Sequence, residues 1–142
     1  MLSLTLAKQL KKAGLNWRPQ VHDVFIVPDR GLDDRPFVLT DVMAYIELFD
    51  GSPIVTFHGT AEWALDFVLQ SEAVWIPSEA QLHGLLRQHG ATFVLSIVPA
   101  GFRCEISRAG DTIAFEAADA ADAYGSALLH LLWTAAAAPG AN

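Results

Sequence analysis

A single cysteine, Cys104, in 142 residues excludes an intramolecular disulfide and any metal site closed by cysteine thiolates. Charge is scarce too, at 18% of residues, and nine basic against 16 acidic side chains leave a net −7. That sign opposes general attraction to phosphate backbones and to anionic lipid, so neither nucleic acid nor a membrane surface is an expected partner. Also missing are a GxxxxGKS/T phosphate loop, a GxGxxG turn, an HExxH helix, a CxxC pair and a GxSxG elbow. Nucleotide hydrolysis on a phosphate loop and zinc hydrolysis on a helix lose their usual carriers. The longest uncharged stretch, Ala123 to Asn142, is diluted by Gly125, Ser126, His130, Thr134, Pro139 and Gly140, so no membrane span is expected. Met1 to Leu6 is apolar and precedes Lys8, the reverse of a secretory signal, and with one free cysteine a cytoplasmic location is expected.

What is abundant is apolar side chain, 52% of the total, in a length that suits one domain spanning 1–142. The charge is also unevenly placed. The first 20 residues hold Lys8, Lys11, Lys12 and Arg18 and no acid, a sum of +4, which leaves five basic and 16 acidic groups, −11, on the rest. The two parts attract each other, within one molecule or between copies.

Ser3 as N-cap and Gly14 as left-handed stop bound a first helix over 3–13. Its Leu6, Leu10 and Ala13 line one stripe, with Lys8, Lys11 and Lys12 on another face. Val24 to Val27 predicts a short strand, followed by a polar loop from Asp29 to Pro36. Phe37 to Thr40, Val42 to Phe49 and Ile54 to Phe57 read as strands, the last two joined by Asp50-Gly51-Ser52-Pro53. Thr60 with Ala61, Ala64, Leu65, Val68 and Leu69 at helical spacing predicts a central helix. Ala73 to Pro77 is extended, and Ser78 with Gln81 forms a capping box for a helix ending at Gly90. Thr92 to Val98, Phe102 to Ser107 and Thr112 to Glu116 predict an antiparallel meander, and 118–136 a last helix before a frayed 138–142. Mixed elements without βαβ alternation predict an α+β fold, an antiparallel sheet with N-terminal, central and C-terminal helices packed on it.

Candidate sites are few. Asp29, Asp33 and Asp34, near Asp23 and Asp41, offer oxygen ligands, but Arg30 and Arg35 lie among them, so a turn held by ion pairs is expected and no metal or cofactor. His58 and Glu62 flank a strand end, a Gly59 turn and a helix start, where free N–H groups suit an anion or an acid/base pair; Trp63 lies beside them. His83 and His89 are about 120° apart around a helix, which does not suit a shared metal. Tryptophans 17, 63, 75 and 133 are expected in the core, and Cys104 as a buried filler.

Asp23 to Asp41, with Phe57-His58-Gly59-Thr60-Ala61-Glu62-Trp63-Ala64-Leu65-Asp66, Ala73-Val74-Trp75-Ile76-Pro77 and Gly14-Leu15-Asn16-Trp17, resembles a family of small bacterial proteins. Some of its members carry the name pilus assembly protein. The resemblance implies a cytoplasmic accessory protein and adds no catalytic residue. A non-catalytic domain that binds a protein partner or a second copy of itself, as a homodimer using Lys8, Lys11 and Lys12, is the leading expectation. One alternative is a small hydrolase or ligand-binding protein with a pocket at Asp29, Arg30, Asp33, Asp34, His58, Glu62 and Trp63. Another is an acidic inhibitor or immunity-type binder of a basic partner.

Overall fold

The computed structural model describes residues 1–40, 44–57 and 67–137. In chain order its elements are α1 (Leu4–Lys12), β1 (Val24–Ile26), β2 (Phe37–Val38), β3 (Ala44–Phe49), β4 (Ser52–Phe57), β5 (Phe67–Leu69), β6 (Val74–Ile76), α2 (Glu79–Gln88), β7 (Thr92–Val98), β8 (Gly101–Arg108), β9 (Asp111–Ala117) and α3 (Ala120–Ala137). The fold is α+β, and among the described residues every strand pair is antiparallel, but the strands form three separate three-stranded sheets where one was expected. Contacts divide the chain into two compact units, Met1–Asn16 with Pro77–Asn142, and Trp17–Ile76.

In the first unit α3 is the centre. From Ala120 to Leu131 only Asp122, Ser126 and His130 escape full burial, so the helix is apolar nearly all round and has to be covered on several sides. β8 and β9 cover one side, α1 and α2 others. Asp119 starts the helix by accepting the Ala121 N–H at 2.8 Å, and Asp122 accepts the Ser3 N–H at 2.7 Å, which ties the start of α1 to the first turn of α3. Ser3 in turn caps α1 by accepting from the Leu6 N–H, and Leu2, Leu6 and Leu10 are buried. α1 lies close to α3 because Gly125 has no side chain: a Cβ there would sit 2.6 Å from Leu2 Cδ1 and 2.8 Å from Leu6 Cδ2. The capping box of α2 forms as its sequence predicts, with the Gln81 N–H on Ser78 Oγ at 3.2 Å and the Ser78 N–H on Gln81 Oε1 at 2.9 Å.

The sheet of this unit runs β7-β8-β9, with Leu95 opposite Cys104 and Cys104 opposite Phe115. Alternation then sends Phe93, Leu95 and Ile97 to the face that holds buried Cys104 and Ile106. The opposite face is polar. Arg103 lies between Glu105 and Glu116 at 3.8 and 3.5 Å, and Ser107 Oγ is 3.0 Å from Thr112 Oγ1.

In the second unit β1 is the middle strand of β2-β1-β6, with Val24 opposite both Val38 and Ile76. Buried Phe25, Val27, Leu39 and Ala73 form its core, against which Trp17 and Phe37 pack. Their rings lie 5.7 and 5.6 Å from that of Phe25. The second sheet runs β3-β4-β5. Asp50 and Gly51, at φ 50° and 80°, make the left-handed two-residue turn that Asp-Gly favours between Phe49 and Ser52.

The expected central helix is corrected at its C-terminal end: Phe67, Val68 and Leu69 are a strand paired with Thr56, Val55 and Ile54. Aromatic and β-branched side chains there suit a ladder, and pairing along β4 outweighs their helical spacing. Pro53 falls one residue outside the β5 pairing, where a proline in the middle strand costs least.

Because α1 rests on Gly125, Gly125→Leu is expected to lower unfolding free energy by about 3 kcal/mol through overpacking against Leu2 and Leu6. Gly84 in α2 has nothing near its missing Cβ, so Gly84→Ala is expected to raise stability by up to about 1 kcal/mol. Urea unfolding curves of the two variants check both signs.

Candidate functional site

The acidic segment resolves into separate structural duties. Asp23 is 4% exposed, and its Oδ2 accepts the Trp17 indole N–H and the Gln20 N–H, each at 2.9 Å. Its own carbonyl accepts the Leu39 N–H at 2.7 Å, and the His22 N–H reaches the Leu39 carbonyl at 2.7 Å. A buried carboxylate held this way closes the 17–23 segment onto β1. In the loop beyond, Asp29 has a left-handed φ of 65° and its N–H donates to Asp33 Oδ1 at 3.1 Å. Arg30 does not pair with the loop carboxylates, as the sequence suggests it should, but with Glu72. Glu72 ends the single 3-10 turn, Gln70–Glu72, that follows β5, and its other oxygen accepts the Leu69 N–H, so it is the better placed acceptor. The pair is about half exposed and steadies the loop by roughly 0–1 kcal/mol. Asp34 and Arg35 are exposed.

His58, Glu62 and Trp63 lie outside the described residues, as do Asp41 and 138–142. Lys8, Lys11 and Lys12 are all exposed on α1. Among the described residues no three His, Cys, Asp or Glu side chains are grouped so as to hold a metal ion. Among them, too, no helix is long and apolar enough to cross a membrane.

Cys104 is fully buried mid-sheet, and burial pushes its thiol up to about 11. At pH 8 about one thiol in a thousand is ionised, so the side chain fills space and does not attack. His83 lies between aromatic rings, those of Tyr124 at 4.5 Å and Phe93 at 5.0 Å, and its buried Nε2 has no hydrogen-bond partner among the described residues. Trp17 packs in the core as expected, whereas Trp133 is 56% exposed near the end of α3. The last turns of α3 lie beyond the side of the helix that its neighbours cover, as the exposure of Trp133, Thr134 and Ala136 shows.

Two surface features of the first unit stand out. One is a groove of about 200 Å³ where the β8–β9 turn meets α3, with Ile106 and Leu131 in its floor and Arg108, Asp111, His130 and Thr134 around it. Its polar groups are largely committed elsewhere. Thr134 Oγ1 donates to the backbone carbonyls of His130 and Leu131 at 3.0 and 3.1 Å, Arg108 donates to the His89 carbonyl, and the His130 ring packs on Phe115 at 5.5 Å. The other is β7, an edge strand with Val94 66% and Ile97 86% exposed. The sequence predicts the meander of these three strands, but not whether another strand continues it beyond β7 or where α3 packs, so neither the groove nor the open edge is readable from it. The one signal for the edge is a seven-residue strand with no charge.

No family model matches the chain, and neither a curated protein nor a solved structure matches it.

Removing the buried carboxylate leaves two donors without partners, so Asp23→Ala is expected to cost about 3 kcal/mol of stability, read as a lowered denaturation midpoint. Cys104 is expected to resist alkylation at pH 8 until the chain unfolds, followed by mass spectrometry over a urea series.

Proposed function

We propose that this chain is a non-catalytic accessory domain that works by binding protein, a second copy of itself included. The observation that supports it is the contrast within one sheet. Its broad outer face is wetted by Arg103, Glu105, Glu116, Ser107 and Thr112, whereas its β7 edge presents bare Val94 and Ile97. Exposed apolar side chains along a strand edge, here one on each face, are a cost to a solitary soluble domain and an asset to an interface.

The titratable groups at hand fit the same reading. Asp23, Asp33 and Glu72 hold backbone and neighbouring side chains, and the Cys104 thiol stays protonated. None faces a reaction partner of complementary role at hydrogen-bond distance, which acid/base or nucleophilic work requires. Exposed Lys8, Lys11 and Lys12 on α1 give a cationic patch to a chain that is otherwise −10, and this favours encounter between copies at low salt. A free thiol and the absence of disulfide chemistry suit a reducing compartment, so we place its action in the cytoplasm.

Sedimentation equilibrium tests the reading. Mass is expected to rise with concentration from 15.4 kDa toward twice that value. Lys8→Glu, Lys11→Glu and Lys12→Glu together are expected to weaken association by about 10-fold at low salt and little above about 0.5 M, where screening is strong. A constant monomer mass in every condition refutes self-association.

A further inference from the structure

We propose that β7 is the surface by which two copies of this chain join, edge to edge and antiparallel, so that two three-stranded sheets become one of six strands. The inference rests on the protein-binding reading above and names its partner and register.

A sheet ordered β7-β8-β9 has two edges, and they differ in kind. β9 is guarded, since it carries Asp111 and Glu116, and pairing it with itself would bring four carboxylates into one seam of a chain already at −7. β7 reads Thr-Phe-Val-Leu-Ser-Ile-Val, with no charge, no proline and an unbroken register against β8. Among the described residues, none of the usual devices that keep an edge from pairing is present.

The strand is also complementary to itself. With a two-fold axis through Leu95, perpendicular to the sheet, Leu95 meets Leu95 of the second copy, Phe93 meets Ile97, Val94 meets Ser96 and Thr92 meets Val98. All seven residues then pair, and the faces match. Phe93, Leu95 and Ile97 of both copies fall on the face that holds Cys104 and Ile106, so apolar meets apolar across the seam. This accounts for the odd exposure of Ile97. Its parity sends it to the core face, yet 86% of it is bare within one copy. Phe93 of the second copy supplies the missing cover, and that ring is a fixed anchor, packed at 5.0 Å on His83 and 5.4 Å on Tyr124. The polar outer face offers no comparable seat.

The test is sedimentation equilibrium of the full chain beside Val94→Lys/Ile97→Lys, with Thr112→Lys on exposed β9 as control. The double variant is expected to raise the dimer Kd by about 100-fold or more, since two like charges per copy would enter the seam, while Thr112→Lys moves it by less than about 3-fold. Both altered β7 side chains are exposed, and an unchanged far-UV spectrum verifies folding. Val94→Cys/Ser96→Cys supplies a second route, because directly opposed residues lie about 4.5–5.5 Å apart at Cα, within disulfide reach. It is expected to give a covalent dimer on oxidation, in far higher yield than Val94→Cys alone. A monomeric wild-type chain overturns both this proposal and self-association, including the case where a foreign extended peptide takes the edge. A dimer indifferent to the β7 lysines overturns the β7 assignment alone and leaves the broader reading standing.

Discussion

The first unit depends on one constraint, that α3 has no polar side between Ala120 and Leu131 wide enough to face water. A helix of that kind is stable only when enclosed. α1 closes one flank through Leu2 and Leu6 over Gly125, the inner face of β8 and β9 closes another, and α2 a third. Each fully buried leucine contributes about 1.5–3 kcal/mol against leaving it in water, so losing one flank would take a large share of the stability of a domain this size. The polar contacts at the start of α3 are subordinate to that packing and set its direction. Asp119 satisfies the Ala121 N–H, and Asp122 reaches across to the Ser3 N–H, fixing where α1 begins.

This enclosure changes how the apolar composition should be read. A 52% apolar share in 142 residues implies more greasy surface than a lone globule needs. Much of that excess is absorbed inside the first unit, because α3 takes neighbours on several flanks instead of one. Part of the remainder lies along the β7 edge, where Val94 is bare on the ionic and hydroxylic face and Ile97 is bare on the opposite, core-side face. The acidic excess is likewise structural in the places where its partners are visible. Asp23, Asp33, Glu72, Asp119 and Asp122 each accept from a backbone N–H.

Local signals in the sequence were legible wherever local chemistry decides the outcome. Ser3 and Gly14 around α1, the Ser78/Gln81 capping box, the Asp50-Gly51 turn and the three strands from Thr92 onward follow from side-chain type and spacing alone, and the structure places them within a residue or two. Phe67 to Leu69 was misread because a helical period and a strand-forming triplet coexist there, and only the open side of β4 decides between them. Arg30 was matched with neighbouring aspartates because sequence distance is all that can be read from the chain. Its partner Glu72 is 42 residues away, brought close by the β1–β6 pairing. Trp133 was assigned to the core by its type, and its place in the last turns of α3 leaves it exposed. Of the candidate site, the residues and the β7-β8-β9 meander were readable, but not that β7 is left unpaired on its outer side, so the open edge required the structure.

Strand pairing also sets how tight a contact at this edge should be. Seven residues from each copy, with three apolar side chains on the inner face, bury less than the roughly 1,600 Å² of a standard stable interface. Repulsion between two chains of net −7 opposes them further, although about 8 Å of Debye screening at physiological salt limits it to charges near the seam. β7 is free of such charges, whereas Arg103, Glu105 and Glu116 lie on the adjoining strands as a nearly balanced set. The seam is therefore the part of this acidic surface where like charges cost least and uncovered apolar side chains gain most. That combination favours a reversible, concentration-dependent dimer, one able to give way to a competing strand, over an obligate one.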